Sequence, residues 1–172
     1  RIAFRIATLK HLSEIEIAAI NTSGSMTASG WAHLVNFDTM YRKFELDVKA
    51  QETADPKTVT DDNCEIGFLT VPEKNIKVPI LAQKDPEKIP WGKYGVDVVI
   101  EATGKFTSGE EAKKHGLGGA KRVIISAPSK GGNVGTYVIG VNDIKGSPEV
   151  ISNASCTTNC VAPVAAVIHS NF

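Results

Sequence analysis

The sequence predicts an α/β protein with a doubly wound, mostly parallel sheet. Two nearly continuous apolar runs, VDVVIEATG (residues 96–104) and KRVIISAP (residues 121–128), are rich in Val and Ile, which is typical of parallel strands covered on both faces. The segment from Thr107 to Ala120 lies between them and carries helix-capping signals, so the three segments form a βαβ unit. Folds of this class bind ligands at the carboxyl ends of their strands.

Length, charge and cysteine content limit the class of protein and the kinds of partner that the sequence allows. The chain has 172 residues, 42% of them hydrophobic, which is enough for one well-buried domain. Its 19 basic and 19 acidic side chains cancel, so we expect no nucleic acid and no membrane as partners. The longest apolar stretches fall short of the roughly 20 residues of a membrane span, and no signal peptide opens the chain, which predicts a soluble cytoplasmic protein. Three cysteines without a CxxC motif predict reduced thiols and no metal site.

The first half of the chain predicts two helical segments and a hairpin insertion. Apolar residues at helical spacing open the chain, and a strand is expected at Ile15–Ile20, followed by a polar loop and one or two helical turns at Trp31–Val35. Three segments are then predicted as antiparallel strands, the last two joined by the turn-rich PEKN: KFELDVKA (43–50), IGFLTV (66–71) and IKVPILA (76–82). An antiparallel hairpin therefore interrupts the parallel sheet.

The second half continues the alternation of strand and helix. Thr107 and Ser108 stand three residues before Glu110 and Glu111, giving two chances of a capping box, and the helix is expected to end at two glycines. TYVIGVN (136–142) and EVISN (149–153) are predicted as two further strands, and the following cysteine-bearing segment as the start of the last helix.

Both ends are expected to be truncated. The chain opens at Arg1 without Met, already within an amphipathic helical pattern, and it stops at Phe172 after an apolar run without a C-cap glycine.

The segment SNASCTTNC (152–160) contains the candidate reactive group. Cys156 is predicted at or near a helix N-terminus, where free N–H groups and the helix dipole favour a thiolate. The alternative is that Cys156 is a small buried hydrophobic residue. Cys160 and Cys64 are expected to be packed and inert.

Three segments carry a resemblance to a known family. SNASCTTNC, PWGKYGVDVVIEATGKFT (90–107) and AKRVIISAPSK (120–130) resemble the phosphorylating glyceraldehyde-3-phosphate dehydrogenase family, and the resemblance extends over the whole chain. It implies a Rossmann-type fold. Residues 1–154 would be the NAD(P)-binding domain without its first strand and glycine-rich turn, and residues 155–172 the start of the catalytic domain.

The resemblance also implies a mechanism. The cysteine matching Cys156 attacks the aldehyde of glyceraldehyde 3-phosphate to give a thiohemiacetal and then a thioester, which phosphate cleaves. Ser155 and Thr157 match positions that hold this phosphate, although both could instead cap the helix. The catalytic histidine and phosphate-binding arginine would lie beyond Phe172, so we expect this chain alone to be inactive. A homotetramer is typical of the family.

The histidines within the chain match none of these roles. Surface placement is expected for all four: His11, His33, His115 and His169.

The cofactor positions implied by the resemblance are only partly present. Arg1 would be the last trace of the glycine-rich turn, and Lys84 replaces an arginine near the adenine. Contacts at strand ends are expected from Thr103 and Gly104 and from Ser126.

Cofactor choice is expected to depend on the end of the second strand. Asn21, Thr22 and Ser23 stand there in place of the acidic residue that holds the ribose hydroxyls in NAD-specific members. Because a hydroxyl can donate to the 2′-phosphate, NADP or dual use is favoured over NAD alone. The alternative is that Thr22 and Ser23 only form the loop and that NAD still binds.

Two other functions stay open at this point. Erythrose-4-phosphate dehydrogenase resembles the family in the same cysteine segment, and a non-catalytic nucleotide-binding domain could retain the motif. Arg42 stands where a glycine is common in the family, with no consequence evident from sequence.

Overall fold

The protein has an α/β, Rossmann-type fold with a mostly parallel arrangement and an antiparallel insertion. The structure is a computed structural model that describes residues 1–144 and 146–172. It contains two compact units, Arg1–Ile89 and Pro90–Phe172, and in the described residues each unit has its own four-stranded sheet. Among these residues, no helix has the length and apolar character needed to cross a membrane.

The first unit opens with helix α1 (Ile2–Lys10), as the apolar spacing predicted. This helix buries Arg5, which is 5% exposed. The Arg5 guanidinium donates hydrogen bonds to the carbonyls of Val35, over 2.7 Å, and Arg42, over 3.0 Å, and it lies 5.1 Å from the centre of the Phe44 ring. Carbonyl dipoles and an aromatic face therefore compensate this buried cation.

Helix α2 (Ala28–Asn36) confirms the helical turns predicted around Trp31. Thr27 is its N-cap, and its hydroxyl accepts a hydrogen bond from the N–H of Gly30. The cap satisfies one of the free N–H groups of the first turn.

The sheet of the first unit confirms the antiparallel insertion. It consists of β1 (Ile20–Asn21), β6 (Ile76–Leu81), β5 (Glu65–Val71) and β4 (Lys49–Glu52), in that spatial order. Strand β1 runs parallel to β6, whereas β4 and β5, and β5 and β6, are antiparallel pairs. The strand predicted from Ile15 is shorter than expected, because only Ile20 and Asn21 pair with β6.

The predicted strand 43–50 is not continuous: Lys43 belongs to a two-stranded ribbon, and β4 begins only at Lys49. Strands β2 (Phe37–Asp38) and β3 (Arg42–Lys43) are antiparallel, and Asp38 Oδ1 accepts the N–H groups of Met40 and Tyr41 in the connecting turn. Arg42 has a φ of 61°, which is a left-handed conformation. A glycine adopts this conformation without strain, whereas an arginine does so at a cost. Backbone strain is therefore the consequence of Arg42 that was not evident from the sequence.

The apolar core of the first unit lies between helix α2 and the sheet, and the glycine at its bulge is obligatory. Ile66 and Ile80 are fully buried there, and the antiparallel register shifts between Glu65 and Gly67. Gly67 has a φ of 151°, and a Cβ at this position would lie 2.2 Å from the carbonyl oxygen of Gln51 in β4. Only glycine allows this close approach of two backbones.

The second unit is the predicted βαβ arrangement extended by two parallel strands. It contains β7 (Val98–Glu101), α3 (Gly109–Leu117), β8 (Arg122–Ile125), β9 (Gly135–Thr136), β10 (Val150–Ser152) and α4 (Cys156–Asn171). The strands are parallel in the order β7-β8-β10-β9. Ser108 and Glu111 form the predicted capping box at the start of α3.

Two predictions for the second unit are wrong. The predicted strand 136–142 reaches only Thr136, because the Asn142 side chain accepts the N–H of Val138 and donates to the carbonyl of Thr136, which turns the chain. The sheet is also not covered on both faces: Val98 is 45% and Ile100 is 54% exposed in the described structure.

Candidate functional site

The polar segments of the second unit meet at one edge of its sheet. Strands β7, β8 and β10 are parallel and end at Glu101, Ile125 and Ser152, so the residues that follow them lie at the same edge. The predicted site residues in this unit all follow those strand ends: Thr103 and Gly104, Ser126, and the segment Ser155, Cys156 and Thr157.

A short, strained turn connects β10 to helix α4. Ala154 has a φ of 60°, a conformation that costs a non-glycine residue about 1–2 kcal/mol. The Ser152 hydroxyl stabilises the turn, because it donates to the carbonyl of Ala127 over 2.7 Å and accepts the N–H of Ala154 over 3.1 Å. The N–H of Asn153 donates to the carbonyl of Ile125, so β8 also holds this turn.

Cys156 is the first residue of helix α4, and its side chain is exposed. Ser155 is the N-cap: its hydroxyl accepts the N–H of Thr158 over 2.9 Å. In the described part of the chain, the N–H groups of Cys156 and Thr157 have no hydrogen-bond partner. Two free backbone donors beside an exposed thiol form an arrangement that suits an anionic ligand. The expected capping role of Ser155 is therefore observed, and its position next to the thiol is observed as well.

The other two cysteines differ from each other. Cys64 is buried, as predicted, whereas Cys160 is exposed, so the prediction that Cys160 is packed is wrong. The reason is that no residue of helix α4 is buried in the described structure.

In the first unit, the parallel strands β1 and β6 bring Asn21 and the segment at Gln83 and Lys84 to one edge. The Nδ2 of Asn21 donates to the Gln83 carbonyl over 2.9 Å, and the Gln83 N–H donates to Asn21 Oδ1 over 3.0 Å. Lys84, the next residue, is exposed. The positive side chain of Lys84 therefore comes directly after the Asn21–Gln83 pair, which joins the ends of β1 and β6.

Thr22 and Ser23 have different surroundings. Thr22 is 8% exposed, and its hydroxyl donates to the carbonyl of Leu81 over 3.0 Å and accepts the N–H of Gly24 over 3.2 Å. Its proton is therefore already used within the protein. Ser23 is exposed, and within residues 1–144 and 146–172 its hydroxyl has no partner. Of the two hydroxyls, that of Ser23 is the available donor.

Arg1 lies at the N-terminus of α1, where it is the N-cap residue. Its guanidinium contacts the Asp38 carboxylate over 3.5 Å. Hydrogen bonds from Tyr41 and Met40 hold the pKa of Asp38 below its usual value, and Arg1 lowers it further.

A buried polar network under Thr103 was missed by sequence analysis. Glu101 and His115 are 4% and 3% exposed, and the Nε2 of His115 lies 3.1 Å from Glu101 Oε2. The surface placement predicted for His115 is therefore wrong, because this side chain bridges Glu101 and the indole N–H of Trp91. The only signal in the sequence was a charged residue closing the apolar run VDVVIE.

Glu101 remains charged in this network. Burial raises its pKa, but hydrogen bonds from His115 and from Thr103 outweigh burial, so the pKa of Glu101 is below its usual value.

The remaining histidines are at or near the surface. His33 and His169 are exposed, and His11 is half-buried and paired with Glu14 over 3.3 Å. The described residues contain no cluster of three or more His, Cys, Asp or Glu side chains that could hold a metal ion.

The fold and the polar edges of its two sheets define a Rossmann-type dinucleotide-binding protein in which a cysteine-bearing helix follows the last parallel strand. Residues 1–109 match the family model described as glyceraldehyde 3-phosphate dehydrogenase, NAD binding domain. The chain therefore belongs to the glyceraldehyde-3-phosphate dehydrogenase family, which confirms the resemblance of its motifs.

Similar proteins cover almost the whole chain. It is 44% identical over 169 residues to a glyceraldehyde-3-phosphate dehydrogenase of Streptomyces coelicolor, which covers 96% of this chain and 45% of that protein. It is 43% identical over 162 residues to the chloroplastic glyceraldehyde-3-phosphate dehydrogenase A of Scenedesmus vacuolatus, with 93% and 46% covered. The glyceraldehyde-3-phosphate dehydrogenase of Geobacillus stearothermophilus is 43% identical over 169 residues, with 96% and 44% covered. The chain thus spans slightly less than half the length of these relatives.

Proposed function

We propose that the full-length protein carrying this chain is a phosphorylating glyceraldehyde-3-phosphate dehydrogenase with Cys156 as its nucleophile. The observation that carries the proposal is the exposed Cys156 thiol at the first position of α4, beside two backbone N–H groups without partners. The substrate would be glyceraldehyde 3-phosphate and the product 1,3-bisphosphoglycerate, as in glycolysis and gluconeogenesis. Family membership and the relatives' names support this choice of substrate.

The thiol accounts for both halves of the reaction. Cys156 sulfur adds to the aldehyde carbon, and the resulting thiohemiacetal loses its hydroxyl proton to a base and its C–H hydrogen as hydride, which leaves a thioester. The nicotinamide of the cofactor, when bound, accepts that hydride. An oxygen of inorganic phosphate then attacks the thioester carbonyl, the C–S bond breaks, and the thiolate leaves.

The residues around Cys156 would bind the charged groups. The free N–H of Cys156 is suited to stabilise the oxyanion of the carbonyl, because it lies at the positive end of the helix. Ser155 and Thr157 would hold the attacking phosphate, with the Thr157 N–H as a further donor.

Each unit, taken by itself, offers residues suited to part of a nicotinamide adenine dinucleotide. Ser23 and Lys84 follow the parallel strands of the first unit, and Thr103, Gly104 and Ser126 follow those of the second. Gly104 has open space where a Cβ would lie, so a ligand can approach its backbone closely. The proposal also includes Arg1 and Asn21 among the cofactor-binding residues. The contact of Asn21 is the hydrogen bond that it donates to the carbonyl of Gln83.

We also propose that the enzyme accepts NADP as well as NAD. No carboxylate stands at Thr22 to repel a 2′-phosphate, and the available donors are the Ser23 hydroxyl and the exposed Lys84. The Thr22 hydroxyl would act only in the loop, since its proton is donated to Leu81.

The wider organisation completes the proposal. Residues 1–154 would belong to the NAD(P)-binding domain and residues 155–172 to the start of the catalytic domain. The full-length protein would be a cytoplasmic homotetramer. The 172-residue chain alone would not turn over substrate, because it spans less than half of its relatives.

The test compares two cysteine variants of the full-length protein. Cys156→Ser is expected to abolish phosphate-dependent reduction of NAD(P) by glyceraldehyde 3-phosphate, whereas Cys160→Ser, one helical turn away and also exposed, retains most activity. Equal losses in both variants would remove Cys156 as the nucleophile. A wild-type preference for erythrose 4-phosphate over glyceraldehyde 3-phosphate would replace the proposed substrate.

A further inference from the structure

The carboxylate of Glu101 is the least expected charge in the second unit, because it lies buried at the carboxyl end of β7. Burying a carboxylate costs several kcal/mol unless donors surround it. Three donors do so here. Oε1 accepts both the N–H of Thr103, over 2.7 Å, and the Thr103 hydroxyl, while Oε2 faces the Nε2 of His115 at 3.1 Å.

His115 is held in one tautomer by Trp91. The indole N–H of Trp91 lies 3.1 Å from Nδ1 of His115, and both side chains are buried. An indole nitrogen only donates, so Nδ1 must accept and Nε2 must carry the imidazole proton. The hydrogen bonds therefore run in one direction, from Trp91 through His115 to Glu101.

Glu101 determines the shape of the loop that follows it. With the Thr103 hydroxyl proton donated to Glu101, the hydroxyl oxygen accepts the N–H of Lys105 over 3.1 Å. Gly104 between them has a φ of 73°, so the loop makes a tight turn over the carboxylate. The backbone carbonyl of Glu101 also accepts the N–H of Ser126 over 3.0 Å. One residue thus anchors both strand ends of this unit that the proposed function assigns to the cofactor.

We propose that Glu101 is a positioning residue for cofactor binding, which sets the Thr103–Gly104 turn and is itself oriented by the buried pair Trp91 and His115. None of these three side chains touches the ligand; Glu101 acts through Thr103. The inference rests on the proposed function, and it gives a role in cofactor binding to three residues to which the sequence analysis assigned none.

The decisive variant is Glu101→Gln in the full-length protein. An amide has one oxygen and one NH₂ group. If its oxygen accepts from His115, its NH₂ group faces the N–H of Thr103, and two donors then oppose each other. In the opposite orientation the NH₂ group faces the Nε2–H of His115, which is again a donor. His115 cannot move that proton to Nδ1, because Nδ1 accepts the indole N–H of Trp91. Glutamine therefore cannot satisfy both partners at once, and it holds the loop less firmly than the carboxylate does.

Three measurements follow from this. Glu101→Gln is expected to raise the Kd and the KM for NAD(P) about tenfold, as for the loss of one hydrogen bond to a charged group, while kcat changes less than about threefold. Hydrogen exchange at the Thr103 amide of the cofactor-free protein should become at least about tenfold faster. Adding Trp91→Phe releases the His115 tautomer, so the double variant should recover part of the affinity although it is less stable.

Val99→Ala is the matched control. Val99 lies two residues before Glu101 on the same buried face of β7 and makes no hydrogen bond to the loop with its side chain. This variant is expected to lower the thermal stability while leaving the cofactor Kd within about twofold of wild type. If the role of Glu101 were purely structural, Glu101→Gln would likewise lower the thermal stability and leave the cofactor Kd unchanged.

The outcomes separate the two proposals. If Glu101→Gln binds the cofactor within twofold of wild type and leaves the Thr103 amide exchange unchanged, the positioning role is overturned. A double variant that binds no better than Glu101→Gln overturns the assignment of Trp91 and His115. If the wild-type protein binds neither NAD nor NADP, the proposed function fails, and the exchange rate at Thr103 still tests the role of Glu101.

Discussion

Asn21 and Gln83 join the carboxyl ends of β1 and β6 through two hydrogen bonds that close on each other. The Asn21 amide donates to the carbonyl of Gln83 over 2.9 Å and accepts its N–H over 3.0 Å, and the Gln83 side chain donates onward to Asp61 over 3.0 Å. A side chain thus replaces one step of the strand ladder at the edge where the cofactor is proposed to bind. This pairing requires both a donor and an acceptor on residue 21.

Asn21→Asp should therefore lose stability in a pH-dependent manner. Near pH 7 one carboxylate oxygen would face the Gln83 carbonyl, which should cost about 1–3 kcal/mol. Protonation of the new carboxyl restores a donor, so the deficit should shrink as the pH falls toward about 4, the unfolded pKa of an aspartate, and be smallest below it. Urea unfolding at both pH values measures this, with Asn21→Ala as the control, whose deficit should not depend on pH. A deficit for Asn21→Asp that is equally constant would contradict the two-bond geometry.

Ser23→Asp is expected to discriminate against NADP in the full-length enzyme. A carboxylate a few ångströms from the 2′-phosphate should cost on the order of 1–4 kcal/mol at surface-like dielectric, a tenfold or greater loss in kcat/KM for NADP. NAD lacks the phosphate and should be nearly unaffected. Thr22→Ser, which keeps the hydroxyl bonded to Leu81, is the control and should retain the wild-type cofactor ratio. A wild-type enzyme that disfavours NADP more than about a hundredfold would contradict dual use.

Arg42→Gly is expected to stabilise the protein by about 0.5–1 kcal/mol, because glycine relieves the left-handed conformation at φ 61°. The hydrogen bond from Arg5 would survive, since it goes to the backbone carbonyl of residue 42. Arg42→Ala keeps the Cβ and should give no gain. If alanine stabilises as much as glycine in chemical unfolding, the effect comes from the loss of the side chain.

Gly67→Ala should destabilise severely, by more than about 3 kcal/mol, because its Cβ would lie 2.2 Å from the Gln51 carbonyl oxygen and the β4–β5 pairing would have to separate. The control is Gly95→Ala, which has a φ of 65° but open space around the new Cβ, and which should cost about 1 kcal/mol. Comparable thermal shifts for the two variants would show that the bulge can rearrange.

Acid sensitivity should depend on Glu101. Its pKa is lowered in the folded protein, so it binds a proton more readily in the unfolded chain. Its contribution to stability is therefore fully present above the unfolded pKa of about 4.3–4.5 and is lost as the pH falls through the lower folded value. In Glu101→Gln the acid limb of the stability curve should flatten. If the free energy of unfolding changed with pH just as steeply in the variant between about pH 5 and pH 3, other carboxylates would be responsible for the acid sensitivity.

The sequence predicted the elements whose signals are local. The apolar runs at 98–101 and 122–125, the Ser108–Glu111 capping box and the hairpin between β5 and β6 all depend on nearby residues, and the structure contains each of them. The strand predicted at 136–142 failed because one side chain, that of Asn142, bonds to the backbone and closes a turn.

Within the site, what sequence could not provide was the pairing of distant polar groups. The position of Cys156 at the first turn of α4 was predictable from the small polar residues after a strand. The use of the Thr22 proton by Leu81 was not, because the two residues are far apart in sequence. The same holds for His115 and Trp91, since a histidine in a polar helix gives no indication of a buried partner 24 residues away.

The connection at Ala154 between strand β10 and the Cys156 thiol is short. Only Asn153, Ala154 and Ser155 separate the last residue of β10 from Cys156, and hydrogen bonds from Asn153 and Ala154 tether two of the three. One inserted residue adds up to about 3.6 Å of chain, whereas a displacement of about 1 Å can reduce a catalytic rate roughly a hundredfold. The reach of the Cys156 thiol, the proposed nucleophile, is therefore set by chain length, and this connection should be the part of the second unit least tolerant of insertions and deletions.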